Sequence, residues 1–114
     1  MAFTFGTATV DPINGLYVGS ATTDTSSAAG TFYPGYAPRR VKVIDTTNAS
    51  VYEWVLGMGN GYALKTVTAG TTTVITTNGI SVFAPTDATP GQFSVTLGTG
   101  IHVNSSTYRI VCER

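Results

Sequence analysis

The sequence predicts an all-β fold, a small antiparallel β-sandwich or barrel with a long loop or arm near its N-terminus. Three observations lead there. The strong helix formers Glu, Lys and Leu are scarce, and no window sustains a 3.6-residue apolar period. Thr recurs throughout, and β-branched or aromatic residues alternate with polar ones in short runs. Those runs are separated by Gly, Pro and Asn at short, fairly regular intervals, with no helical crossover between them. At 114 residues the chain fits one domain, 1–114, with a modest single core.

Taken in order, residues 3–10 read as one strand and 16–19 as another. Residues 20–38 are Ser, Thr, Ala and Gly with Phe32, Tyr33, Pro34, Tyr36 and Pro38, and read as a long loop or arm. A loop of that length is unusual in a compact domain and is often functional. Its aromatic rings either offer a contact surface, where rigid rings bury much area at low entropic cost, or fold back over the domain's own core.

The clearest strand pair is central. Residues 39–45 alternate Val41 and Val43 against Arg40 and Lys42, and residues 50–56 follow after the short polar connection Thr46-Thr47-Asn48-Ala49. On the second strand Tyr52, Trp54 and Leu56 share the face assigned to the core, which leaves Glu53 near Arg40 or Lys42 on the other side. Gly57-Met58-Gly59-Asn60-Gly61 is a turn. Residues 63–67 are a short strand or a single helical turn. Residues 71–76 are a strand by propensity, and Asn78-Gly79 is a tight-turn signal that makes 71–83 a second hairpin. Residues 84–91, with Pro85, Asp87 and Pro90, are a loop. Residues 92–97 turn Phe93, Val95 and Leu97 inward, and 107–113 close the domain with Tyr108, Ile110 and Cys112 on one face.

The composition narrows the function. Charged residues are 11% of the chain, well below the usual share of about 25%. Six basic and six acidic residues cancel. A surface of hydroxyls with no net charge is poorly protected against self-association, which is expected of a surface that faces other protein. The one basic cluster, Arg39, Arg40 and Lys42, lies on a strand and reads as a solvated face, so nucleic acid is not an expected partner. No apolar run has the length of a membrane span, and no signal peptide opens the chain, so a membrane is not one either.

Catalytic and cofactor signatures are missing. The acids Asp11, Asp24, Asp45, Glu53, Asp87 and Glu113 are dispersed, with no metal-ligand spacing. A triad would have to use the single His102, and no nucleophile elbow is present. The single Cys112 rules out an intrachain disulfide and reads as a small buried apolar group. Gly57-x-Gly59-x-Gly61 lacks the spacing and the following helix of a phosphate-binding turn. The chain is therefore read as a non-enzyme without cofactor or metal.

A resemblance joins these readings. Arg39-Arg40-Val41-Lys42-Val43-Ile44-Asp45-Thr46-Thr47-Asn48, followed by Tyr52-Glu53-Trp54, Gly57-Met58, Ala63-Leu64-Lys65-Thr66-Val67, Ala69-Gly70-Thr71 and Gly79-Ile80, resembles small virion proteins of tailed bacteriophages, of the capsid decoration or cement type. The similarity covers residues 38–82, and the stretches before and after it carry no matching motif. The resemblance implies a β-rich, cofactor-free structural protein, made in the host cytoplasm, that sits on the outside of the virion capsid and stabilises it. Its implied partners are the major capsid protein and further copies of itself, as a trimer or else a dimer. The expected contact residues are Phe3 and Phe5 in the first strand, Phe32, Tyr33 and Tyr36 in the loop, and Arg39 and Arg40 just beyond it. A tail or fibre component is an alternative. Another is a glycan-binding attachment module using Trp54, Tyr52, Tyr62, Tyr33 or Tyr36 as a sugar platform.

Overall fold

The computed structural model describes residues 3–11, 13–68, 70–85 and 92–114. Ten strands form one antiparallel sheet, and the described residues contain no helix. The strands are β1 (Phe3–Phe5), β2 (Thr9–Asp11), β3 (Leu16–Thr23), β4 (Gly30–Phe32), β5 (Arg40–Asp45), β6 (Ser50–Val55), β7 (Tyr62–Thr66), β8 (Thr72–Phe83), β9 (Ser94–Leu97) and β10 (Thr107–Glu113). Their order across the sheet is β1-β3-β10-β5-β6-β7-β8-β9-β4, with β2 also on β3. The sheet curls until its end strands β1 and β4 face each other, which makes it nearly closed and barrel-like.

Alternation decides what fills the interior. Val41 and Val43 of β5, Tyr52 and Trp54 of β6, Val95 and Leu97 of β9, and Tyr108, Ile110 and Cys112 of β10 are all buried. Tyr17 and Ala21 of β3 join them. The β5–β6 hairpin has the expected register, with Val43 opposite Tyr52 and Val41 opposite Trp54. Residues 62–66 resolve as strand β7, between β6 and β8.

Four expectations change. The first strand is two short strands, β1 and β2, which take successive places along the same edge of β3. Residues 20–38 are not a free arm. Ser20–Thr23 complete β3, Gly30–Phe32 pair with β9, and Phe32 and Tyr36 enter the core. Burying two large rings outweighs any preference of the small polar residues around them for a loop. Leu56 does not share the core face of Tyr52 and Trp54; it is 66% exposed. The chain turns at that point, Gly57 having a φ of 105° and the Met58 N–H donating to the Val55 carbonyl.

The fourth concerns Asn78-Gly79, which makes no hairpin. The chain runs on through β8, pairing with β7 before these residues and with β9 after them. Register shifts at this point, from Ala63 opposite Ile75 to Tyr62 opposite Ile80, so the strand bulges and bends. Asn78 takes the left-handed conformation (φ 58°) that Asn-Gly supplies in turns, here used for a corner. Gly98 and Gly100 close over it. The Gly98 N–H donates to Gly79 and the Gly100 N–H to the Asn78 carbonyl, each at 2.8 Å. A Cβ on Gly98 would fall on that carbonyl, so only glycine fits. The expected 84–91 loop lies, for residues 86–91, outside the described residues.

Candidate interaction surface

The interior holds a filled core, and no pocket opens among the described residues. On the outer surface, β10 carries Arg109 and Glu113, β5 carries Arg40 and Lys42, and β6 carries Glu53. Across the sheet Lys42 faces Glu53, Arg40 faces Glu113 on one side, and Arg109 faces Ile44. Arg40 donates to the Glu53 carboxylate at 3.3 Å, an exposed pair of small energetic weight.

Apolar side chains flank this charged strip. On one side stand Leu16 and Val18 of β3, with Ile13 in the turn that precedes them. On the other side stand Leu64 of β7 and Val74 of β8, 39% and 59% exposed and directly opposite each other. Beside them Tyr62, Val55 and Leu56 are also exposed. Except for Tyr62, these residues were missed by sequence reasoning. A signal was present in β3, whose inward positions are Tyr17, Gly19 and Ala21. The small Gly19 and Ala21 reverse the usual rule that the larger apolar residues point inward.

The expected contact residues separate into two groups. Phe3, Phe32 and Tyr36 are core side chains and offer no surface, which corrects the contact role expected of them. Phe5 is partly buried against the same cluster. The phenylalanine rings pack in series with Tyr17, Phe3 to Phe5 at 6.0 Å, Phe5 to Phe32 at 5.3 Å and Phe32 to Tyr17 at 5.0 Å between centroids. Tyr36 is held by its hydroxyl, which donates to the Cys112 carbonyl, and burial raises that hydroxyl's pKa. Tyr33, Arg39 and Arg40 are exposed. Tyr33 follows β4, whereas Arg39 precedes β5 and Arg40 opens it, and β4 and β5 are not neighbours in the sheet.

Trp54 and Tyr52 are buried too, so neither is a sugar platform; the Trp54 indole N–H donates to the Gly59 carbonyl at 3.3 Å. Tyr33 and Tyr62 are the exposed tyrosines of that expected set.

The reactive groups are occupied by structure. Burial pushes the Cys112 thiol up to about 12, which keeps it a neutral, unreactive core group. Asp45 is wholly buried, but its carboxylate caps its own hairpin. One oxygen accepts from the backbone N–H groups of Thr47 and Asn48 at 3.1 and 3.0 Å, and the other from the Asn48 side chain at 2.8 Å. The Asn48 amide also reaches the Ser106 hydroxyl at 2.9 Å, tying the hairpin to β10. The His102 ring stands edge-on to Phe3 at 5.5 Å, with its Nε2 buried and without a hydrogen-bond partner. Among the described residues, no group of three or more His, Cys, Asp or Glu is placed to hold a metal ion, and no helix is long and apolar enough to cross a membrane.

No family model matches the chain, nor does any curated protein or solved structure.

Proposed function

We propose that this protein is a structural component of a phage virion, a decoration or cement protein that binds the outside of the capsid and stabilises it. The observation that carries the reading is the outer sheet surface, a charged strip flanked by exposed apolar side chains on a domain whose interior is filled. Such a surface does its work by covering other protein. The low charge of the chain and the resemblance over residues 38–82 support the same reading.

The mechanism needs no chemistry. A rigid barrel that contacts neighbouring capsid subunits contributes binding free energy only in the assembled shell. Mass action then shifts the balance toward the intact particle. Leu16, Val18, Leu64, Val74, Tyr33 and the Arg39–Arg40 pair are the residues available for such contacts with the major capsid protein.

Co-sedimentation of the purified protein with matured shells that lack it tests the reading. The expected result is saturable binding at a fixed ratio to capsid subunits, with the decorated shells surviving more heat. Absence of binding to cognate shells would reject decoration and move the protein to the tail, or to glycan attachment through Tyr33 and Tyr62.

A further inference from the structure

We propose that the open edge of β8 pairs with the same edge of a second copy of this chain, antiparallel about a two-fold axis at Val74. This goes beyond the virion reading, and it concerns the free protein in solution.

The geometry begins with which side of β8 is used. Thr72, Thr73, Val74 and Ile75 pair with Thr66, Lys65, Leu64 and Ala63 of β7. On the opposite side β9 pairs only with Ile80–Phe83, beyond the bulge. Among the described residues, nothing hydrogen-bonds to the far side of 72–76. The ladder settles which groups point there. The Val67 N–H donates to the Thr71 carbonyl at 3.1 Å, so these two form a hydrogen-bonded pair. Antiparallel pairs alternate, so Thr73 and Ile75 also bond to β7, while Thr72, Val74 and Thr76 turn their N–H and C=O groups to the open edge.

Those three residues are self-complementary in one register. A two-fold axis through Val74 places Val74 opposite Val74 and Thr72 opposite Thr76. Every outward-facing residue then meets another outward-facing residue, and each pair exchanges both N–H···O bonds. Centring on Thr73 would pair Thr76 with Gly70, before the strand, and centring on Ile75 would pair Thr72 with Asn78 at the bulge, so only the Val74 axis matches all three outward-facing residues among themselves. Charge permits the contact as well. Lys65 is the last charged residue before Asp87, so two copies bring no like charges together. Residues 72–77 are all β-branched, the composition that suits paired strands.

The edge also lacks the devices that keep sheets apart. Native edges are shortened, interrupted by Pro, or guarded by Lys. β1, β2 and β4 are three residues each, whereas this edge runs uninterrupted to the bulge. The paired strands bury less than the roughly 800 Å² per partner of a standard stable interface, although the exposed side chains of Val74 and Leu64 add to it. The result is a weak, reversible dimer that forms as concentration rises. It closes after two chains, because a two-fold contact of this kind uses the same edge on both.

Sedimentation velocity on the full chain across a wide concentration range tests this directly. The expected result is a monomer–dimer equilibrium. Val74→Lys sets two ammonium groups opposite each other and should raise the dissociation constant at least tenfold. Val74→Cys is the second variant. Position 74 in the two copies is separated by about 5.5 Å between Cα atoms, within disulfide reach. Mild oxidation should therefore yield a covalent dimer, much faster than for Leu56→Cys, an exposed site away from the axis. Three outcomes overturn the proposal: a monomer at every concentration, self-association that Val74→Lys leaves unchanged, or cross-linking no faster at position 74 than at 56. A monomer whose Val74→Lys variant loses shell binding would assign the edge to a capsid strand instead. Shell binding is measured separately, so failure of this contact leaves the decoration reading standing, and the reverse.

Discussion

Where β1 meets β4 the sheet edge is covered by side chains, whereas along residues 72–77 of β8 it is left open. The two edges differ in length and in what lies against them. β1 and β4 are three residues each, and the rings of Phe3, Phe5, Phe32 and Tyr17 bridge them. The first half of β8 is longer, and its side chains are exposed except for the half-buried Ile75. The two ends of the sheet are thus joined to the core, whereas the first half of β8 projects from it. Substitutions at the former should act on folding, and at the latter on association.

The largest effect is expected at the seam. Phe32 is 4% exposed and touches both Phe5 and Tyr17. Phe32→Ala removes the ring that joins β3 to β4 and should cost about 3–5 kcal/mol of unfolding free energy, from lost transfer and the cavity left behind. Urea unfolding followed by tryptophan fluorescence measures it, with buried Trp54 as reporter. A cost near zero would mean that the barrel does not need closing at this point.

A smaller loss should follow from adding one methyl group nearby. A Cβ on Gly30 would lie 2.7 Å from the Cβ of Phe3 and 2.9 Å from its ring. Neither strand can retreat without releasing a pairing, β4 from β9 or β1 from β3. Gly30→Ala should therefore destabilise by about 1–3 kcal/mol through overpacking. The same urea series checks it, and a stabilised variant would show that the seam is looser than the contact implies.

The comparison also shows what the sequence could reveal. Strands with strict alternation, β5, β6, β9 and β10, were legible because Val, Tyr and Trp recur at every second position against charged or hydroxyl partners. The Arg40–Glu53 pair followed from the same register. The seam was not legible. Phe32 and Tyr36 sit among Ser, Ala, Gly and Pro, where no period shows, and their burial depends on the distant partners β9 and Cys112. Asn78-Gly79 misled because left-handed Asn serves a bulge as well as a turn. The choice is made by Gly98 and Gly100, about twenty residues away, whose missing side chains let the strand continue. The contact surface was misjudged for a related reason. Aromatic residues mark buried area, but periodicity alone does not say whether a domain's own core or a partner supplies it.

The smallest expected effect is at the open edge, and it decides whether folding and association are separable there. Val74 is 59% exposed, and its backbone N–H and C=O point away from β7. Val74→Lys should therefore leave the unfolding free energy of the dilute, monomeric chain within about 0.5 kcal/mol of the parent. Adding Lys to a solvent-facing edge position leaves the β7–β8 ladder intact and puts the new charge in water. Thermal and urea unfolding below the dimerisation range, compared with the same measurements at high concentration, give the test. At high concentration the parent alone should gain stability, because only its folded form is drawn into the pair. A loss above about 2 kcal/mol in the dilute variant would instead show Val74 packed within the monomer, as core substitutions of that size do. The edge would then belong to the fold, as the aromatic seam does.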